Sequence, residues 1–339
     1  MPPNRPSAIP DPWPALAYAD WKDTLATLHM WLQMVGKVRV ACAPWVNHQW
    51  HVTLHLTSQG LTSRPMPLPA GGSPGSGAAA HTANERARAR FQIDVDFLSH
   101  ELRISTSDGR TGGFALEPRT VAAFHRAFTE ELDRMAIPVR IHPSPNEVPD
   151  PIPFAENERD RSYDPDSAER FFQVLSSTAR VFEDFRAEFI GKSSPVHFFW
   201  GAMDLAVTRF SGRRAPEHPG GVPALPDWIT REAYSHEVSS AGFWPGGEGH
   251  PEPIFYAYVY PEPKGYSEAA VEPEAARWHG ELQEFVLPYE AVRAGAHPER
   301  ELVRFLRSTY EAAAELGAWD REGLEWPEGA RPPTGGWGP

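Results

Sequence analysis

Apolar residues recur along this chain at two spacings, and the switches between them lay out the elements. Trp21, Leu25, Leu28, Leu32 and Val35 fall three or four residues apart, the period of one helix face, and Gly36 behind them reads as the residue that ends the helix. Val121, Phe124, Phe128, Leu132 and Met135 repeat the pattern behind Pro118, as do Leu302, Phe305, Tyr310, Ala313 and Leu316 behind Pro298. A fourth stripe, Phe171, Leu175, Phe182, Phe185 and Phe189, runs up to Gly191 and Lys192, so two of the four helices are expected to close on a Gly-Lys pair. Strand-like runs lie between them at 50–57, 91–97, 102–107, 197–200, 205–210, 255–260 and 284–288. Phe91, Ile93, Val95 and Phe97 alternate with Gln92, Asp94 and Asp96, the pattern of a strand with one wet face. The fold class this predicts is α+β with an antiparallel or mixed sheet.

Two segments carry neither period. The stretch at about 68–90 is rich in Gly, Ser, Ala and Arg and reads as a disordered insertion; 143–165 is rich in Pro and acids and reads as a connector laid over the surface. The chain therefore divides into an N-terminal α+β half, 1–142, a C-terminal half, 166–325, and a tail, 326–339. Laid one over the other, the halves bring His48 onto His197 and Arg64 onto Arg213, each behind a helix and ahead of several strands and another helix. Two degenerate repeats of helix, strands and helix around a shared cleft are expected.

Composition narrows the partners. Gly (27) and Pro (36) among 339 residues demand many loops and exclude coiled coils and helical solenoids. The balance of 32 basic against 45 acidic residues, a net −13, repels nucleic-acid backbone and anionic bilayers, leaving a small-molecule ligand or substrate. A single cysteine, Cys42, permits no internal disulfide, no cysteine zinc cage and no iron–sulfur cluster, which suits the cytoplasm. The residues before Trp13 lack the order of a signal peptide, and no apolar run approaches ~20 residues.

Ionisable residues inside apolar strand sequence mark the candidate chemistry, because burying them demands a partner or a use. His197, Asp204, Arg209 and Arg213 qualify. Arg209 shares a strand face with Val207 and needs an anion, either Asp204 or a substrate. In the segment from Tyr234 to Gly246, alternation sets Tyr234 and His236 on one face against Ser235 and Glu237 on the other. His236 reads as a general base, a metal ligand, an orienting donor or a core histidine bonded to a carbonyl. His51 and His55 share a face, and with His197 and His236 they are the candidate ligands for a divalent metal such as Zn, Fe or Mn; the alternative is a site without metal, since no compact ligand motif occurs. Trp200, Trp244 and Tyr258 are the expected walls, and the tyrosine face of the 255–260 run reads either as a pocket lining or as half-buried sheet. Gly71 to Gly75 lacks the lysine and helix of a phosphate-binding loop, and no Gly-x-Ser-x-Gly elbow occurs.

The strings Ser194-Pro195-Val196-His197-Phe198-Phe199-Trp200-Gly201, Tyr234-Ser235-His236-Glu237-Val238-Ser239-Ser240 and Gly242-Phe243-Trp244-Pro245-Gly246 resemble an uncharacterised bacterial family classed only as a domain of unknown function, over about 14–325. That resemblance implies no activity, cofactor or catalytic residue. The residues themselves suggest an enzyme acting on a small polar or anionic molecule, with His197 and His236 in acid/base or ligand roles, Asp204 and Glu237 orienting them, and Arg209 and Arg213 binding the anion. A non-catalytic small-molecule binding or sensing protein is the alternative.

Overall fold

The computed structural model describes residues 11–69, 89–222 and 225–327, so most of the Gly-rich insertion and the end of the tail lie outside the described residues. The chain opens with α1 (Tyr18–Cys42), followed by β1 (His55–Leu56), β2 (Gly60–Thr62), β3 (Met66–Pro67), β4 (Arg90–Asp96), β5 (Glu101–Thr106), β6 (Thr111–Ala115) and α2 (Val121–Arg134). The second half begins with α3 (Pro165–Ala187) and continues through β7 (His197–Phe199), β8 (Asp204–Arg214), α4 (Asp227–Ala233), β9 (His236–Trp244), β10 (Ile254–Tyr260), β11 (Arg277–His279), β12 (Glu284–Pro288), α5 (Tyr289–Arg293), α6 (Pro298–Leu316) and α7 (Arg321–Leu324).

The four long helices form on the four apolar stripes, but their ends differ from the sequence expectation. Helix α1 runs through Gly36 to Cys42, because Gly36 is a packing residue and not a terminator: a Cβ there would overlap the Trp200 indole. Helix α3 stops at Ala187, before Gly191, which lies against Phe189 and Leu324. Helix α2 starts on Thr120, whose hydroxyl accepts from the Ala123 N–H at 3.1 Å, and α3 starts on Asp164 in the same way with Pro165 at its first position.

Every strand pairing is antiparallel. One sheet runs β1-β2-β4-β5-β6, with β3 also on β4; the other runs β11-β12-β10-β9-β8-β7. Leu54 and Phe198 exchange both backbone hydrogen bonds, at 2.9 and 2.8 Å, so the inner strands β1 and β7 join the two sheets edge to edge. Cross-strand register then assigns two faces. Phe198, Leu205, Val207, Phe243, Phe255 and Leu287 share the side on which α3 and α6 pack, and Leu61, Ile93, Val95, Leu102 and Ile104 lie in the same apolar core beyond the junction. Trp31 of α1 stacks on Phe124 of α2 at 4.6 Å, and Phe171 of α3 meets Phe198 edge-on at 6.3 Å. The opposite face collects His55, Thr62, His197, Phe199, Asp204, Thr208, Ser240, Tyr256 and Tyr258, of which His55, Thr62, His197, Asp204, Ser240 and Tyr256 are buried.

Each half places six strands between long helices, but the arrangements differ: β3 branches off the first sheet, and in the second α4 separates β8 from β9 and β12 lies between β10 and β11. The expected equivalence of His48 and His197 is not found, because His48 sits in a 3-10 turn at 47–49 with left-handed backbone (φ 58°) whereas His197 is in a strand. Extended structure is likewise absent from most of 50–57, where only His55 and Leu56 are strand. The connector is not a loose surface linker: Phe154 is fully buried, Tyr163 stacks on Trp31 at 5.4 Å, and the Val121 and Ala122 N–H groups donate to Asp160 and Asn157. No helix among the described residues is long and apolar enough to cross a membrane.

Candidate functional site

Where the two sheets meet, five rings line up across this second face. His55, His197, Trp50, His48 and His236 follow one another with centroids 6.3, 6.3, 5.3 and 5.6 Å apart. His55, Trp50 and His48 come from the N-terminal half, and His197 and His236 from the C-terminal half. The Leu54–Phe198 pair sets this arrangement: with those two side chains on the helix side, their neighbours Thr53, His55, His197 and Phe199 turn to the other.

His197 is fully buried. Thr53 donates its hydroxyl proton to the Trp50 carbonyl at 3.1 Å, so its oxygen accepts the Nδ1–H of His197 at 3.2 Å. The His197 Nε2 is therefore an unprotonated acceptor, and it has no partner. His55 is also buried, with Nδ1 unpartnered. Burial, followed by the charge of Arg64, takes the His55 pKa to about 3, with Arg39 adding to the effect. Burial, then His55 and Arg64, takes His197 to about 3 as well. Arg39, buried near the end of α1, donates Nε–H to the His51 carbonyl at 2.8 Å, and burial with Arg64 nearby lowers its own pKa to about 10. Among the described residues, neither Arg39 nor Arg64 forms an ion pair with a carboxylate.

Beyond Trp50 the row continues into a second basic group. His48 donates Nδ1–H to the Ala233 carbonyl at 3.0 Å, leaving Nε2 to accept from the Lys192 ammonium at 2.5 Å. Lys192 lies over the Trp50 and Phe210 rings at 5.5 and 4.7 Å. Glu232 holds this turn through the His48 N–H and the Gln49 side chain, each at 2.8 Å.

A distinct group of carboxyls and tyrosines occupies the same face farther along the second sheet. Tyr256 donates to Asp204, over Gly242, where any Cβ would overlap the Tyr256 ring. Burial, with Glu147 adding its charge, raises Asp204 to about 7; burial and Asp204 raise Glu284 to about 8. Tyr258 and Tyr234 share a hydroxyl hydrogen bond at 2.8 Å, and Trp244 donates Nε1–H to the Ala202 carbonyl at 3.0 Å.

The remaining nominated residues lie elsewhere. Arg209 is on the helix side, its guanidinium carbon 3.5 and 4.3 Å from the centres of the Phe185 and Tyr310 rings, donating to the Phe185 carbonyl with Glu188 at 3.9 Å. Arg213 pairs with Glu237 at 2.7 Å and donates to the Gly317 and Ala318 carbonyls at the end of α6. Glu237 and His236 therefore point to opposite sides of β9. Trp200 donates to the Val52 carbonyl at 2.7 Å and fills the space over Gly36. His51 bonds the Val46 carbonyl at 3.3 Å, apart from the ring row. Among the described residues, no three His, Cys, Asp or Glu side chains come together in a geometry that holds a metal ion, so the four histidines His51, His55, His197 and His236 do not form one coordination cage. Surface depressions of about 490 Å³ at Thr24, Pro118 and Arg161 to Asp164, and about 610 Å³ at Pro273 to Ala275 and Glu301, are not lined by histidine.

Arg39, Trp50, Thr53 and Lys192 were not nominated for the site by sequence reasoning, and Lys192 was read only as part of a helix end. Arg39 and Lys37 carried a signal: two cations interrupt the apolar run Met34 to Val40 of a core helix, where they are costly unless used.

Fold and geometry together define an antiparallel α+β protein in which histidines and arginines gather where its two sheets meet. The chain belongs to the family described as "Family of unknown function (DUF5996)", whose model matches residues 13–326. No curated protein and no solved structure matches it.

Proposed function

We propose that the protein binds a small anionic molecule at the seam, between His55, His197, Arg39 and Arg64. One observation carries this reading: among the described residues, two buried imidazole nitrogens lack partners in the field of two arginines that form no ion pair with a carboxylate. A buried polar group left unpaired costs about 1–3 kcal/mol, and an oxyanion would satisfy the imidazoles once they protonate and the guanidinium groups as they stand. Because neutral His197 presents a lone pair at Nε2, binding an anion there draws a proton onto the ring. The cytoplasm is the setting we propose, on the strength of the single cysteine.

Calorimetry with inorganic phosphate, acetate and methyl phosphate in two buffers of different ionisation enthalpy tests this. The expected result is binding with proton uptake, weakened at least tenfold by Arg39→Met. Anions that bind Arg39→Met and wild type equally would sink the proposal.

Asp204 favours a second, catalytic reading. A carboxyl held near pH 7 on the same face as an unprotonated imidazole is the pairing of acid and base that proton-transfer chemistry needs. In that reading His197 is the base, Asp204 the acid, and Tyr256, Tyr258 and Trp244 form the wall. Turnover of an anionic substrate, lost in both His197→Gln and Asp204→Asn with binding retained, would select it over simple binding.

A further inference from the structure

We infer that the ligand is a compact dianion whose two anionic groups, carboxylate or phosphate, sit on either side of Trp50, one at the seam and one at Lys192, His236 and Arg214. The inference rests on the anion reading of the seam for its first half, but its second half stands on other residues. Lys192 is held in place, unlike an ordinary surface lysine: it donates to His48 Nε2 at 2.5 Å and lies over two aromatic rings. Among the described residues it has no carboxylate within ion-pair distance, and neither has Arg214, which lies opposite His236 in the β8–β9 ladder. Glu232, whose oxygens accept from the His48 N–H and the Gln49 amide, is close enough for its charge to act on Lys192, His48 and His236 without forming an ion pair with Lys192.

The backbone beneath this group is unusual for the residues it carries. His48 and Gln49 are both left-handed, at φ 58° and 59°, a conformation that costs an ordinary side chain about 1 kcal/mol or more and persists where the surroundings impose it. Here it places the His48 ring between Trp50 and His236 with its tautomer fixed by the Ala233 carbonyl. Two cationic groups, neither with a carboxylate at ion-pair distance among the described residues, thus flank one half-buried indole along a continuous row of rings. An anion at either end meets only one of them; a molecule with an anion at both ends engages both, and the second contact forms at the high effective concentration set by its spacer.

Isothermal titration of the full chain with methyl phosphate and with alkane-1,n-bisphosphates of two to six carbons tests the inference. At least one bisphosphate should bind tenfold or more tightly than methyl phosphate. Lys192→Met, at an exposed position, should abolish that advantage, whereas Arg39→Met should weaken both ligands. A series in which no bisphosphate exceeds methyl phosphate overturns the second subsite and leaves the seam standing. So does an advantage that survives Lys192→Met combined with Arg214→Met. Methyl phosphate binding that is lost in Lys192→Met and indifferent to Arg39→Met overturns the seam reading, and with it the dianion.

Discussion

At the scale of single residues, charge and burial separate groups that look alike in the sequence. Arg209 and Arg39 are both buried arginines, yet Arg209 has ring faces, a carbonyl and Glu188, whereas Arg39 has only the His51 carbonyl. Arg209→Met should therefore lower the stability to urea by about 1–3 kcal/mol and leave anion affinity unchanged, the converse of Arg39→Met. Titration separates the groups opposite the helices too. His55 and His197, ordinarily near 6.5 and about 3 in the fold, favour folding above pH 6.5 and surrender that contribution as pH falls toward 3. Asp204 and Glu284, raised to about 7 and about 8, do the reverse: their contribution is complete below their unfolded values and disappears as pH rises through 7 and 8. Thermal melts across pH 3 to 9, on the order of one pH unit apart, should show His197→Gln flattening the acid limb and Asp204→Asn the alkaline limb. Parallel profiles for wild type and both variants would contradict these assignments.

Elements were legible where their information is local. The four long helices follow from apolar spacing, β4 and β5 from alternation, and β10 and β12 from short apolar runs, because each pattern reports burial by its own element. Gly36 misled for the opposite reason: what it accommodates, Trp200, lies far along the chain, and a glycine that ends a helix looks the same as one that lets an indole through. Gly36→Ala would gain about 1 kcal/mol of helix propensity. The overlap should cost more, about 1–3 kcal/mol, and push Trp200 off the Val52 carbonyl. The expected result is a lower melting temperature and weaker anion binding, and a raised melting temperature would count against the packing argument. The candidate site was half legible. His55, His197 and His236 were visible as histidines within strand sequence; that His48 sits between Trp50 and His236 was not, because two consecutive left-handed residues form a 3-10 turn where the sequence reads as strand. That Arg209, Arg213 and Glu237 face away from the ring row depends on strand register and on where α6 ends, and neither is written in residue spacing.

For the whole molecule, the apolar core is continuous through both halves, from Trp31 and Phe124 to Phe182 and Phe305. One cooperative transition is expected on heating or in urea, and Phe124→Ala in the first half and Phe305→Ala in the second should each shift that same transition, by about 3–5 kcal/mol. Two resolved transitions, each answering to one variant, would show the halves to be independent. The Leu54–Phe198 pair bears on solubility as well. An unpaired strand edge is a template for aggregation, and each half on its own would end in one. Here the two inner edges are consumed by each other, the outer edge at β6 donates its Gly113 N–H to Glu131 of α2, and the other margin is the three-residue β11. The seam that gathers the histidines thus also hides the strands on which two copies of the chain would otherwise stick together.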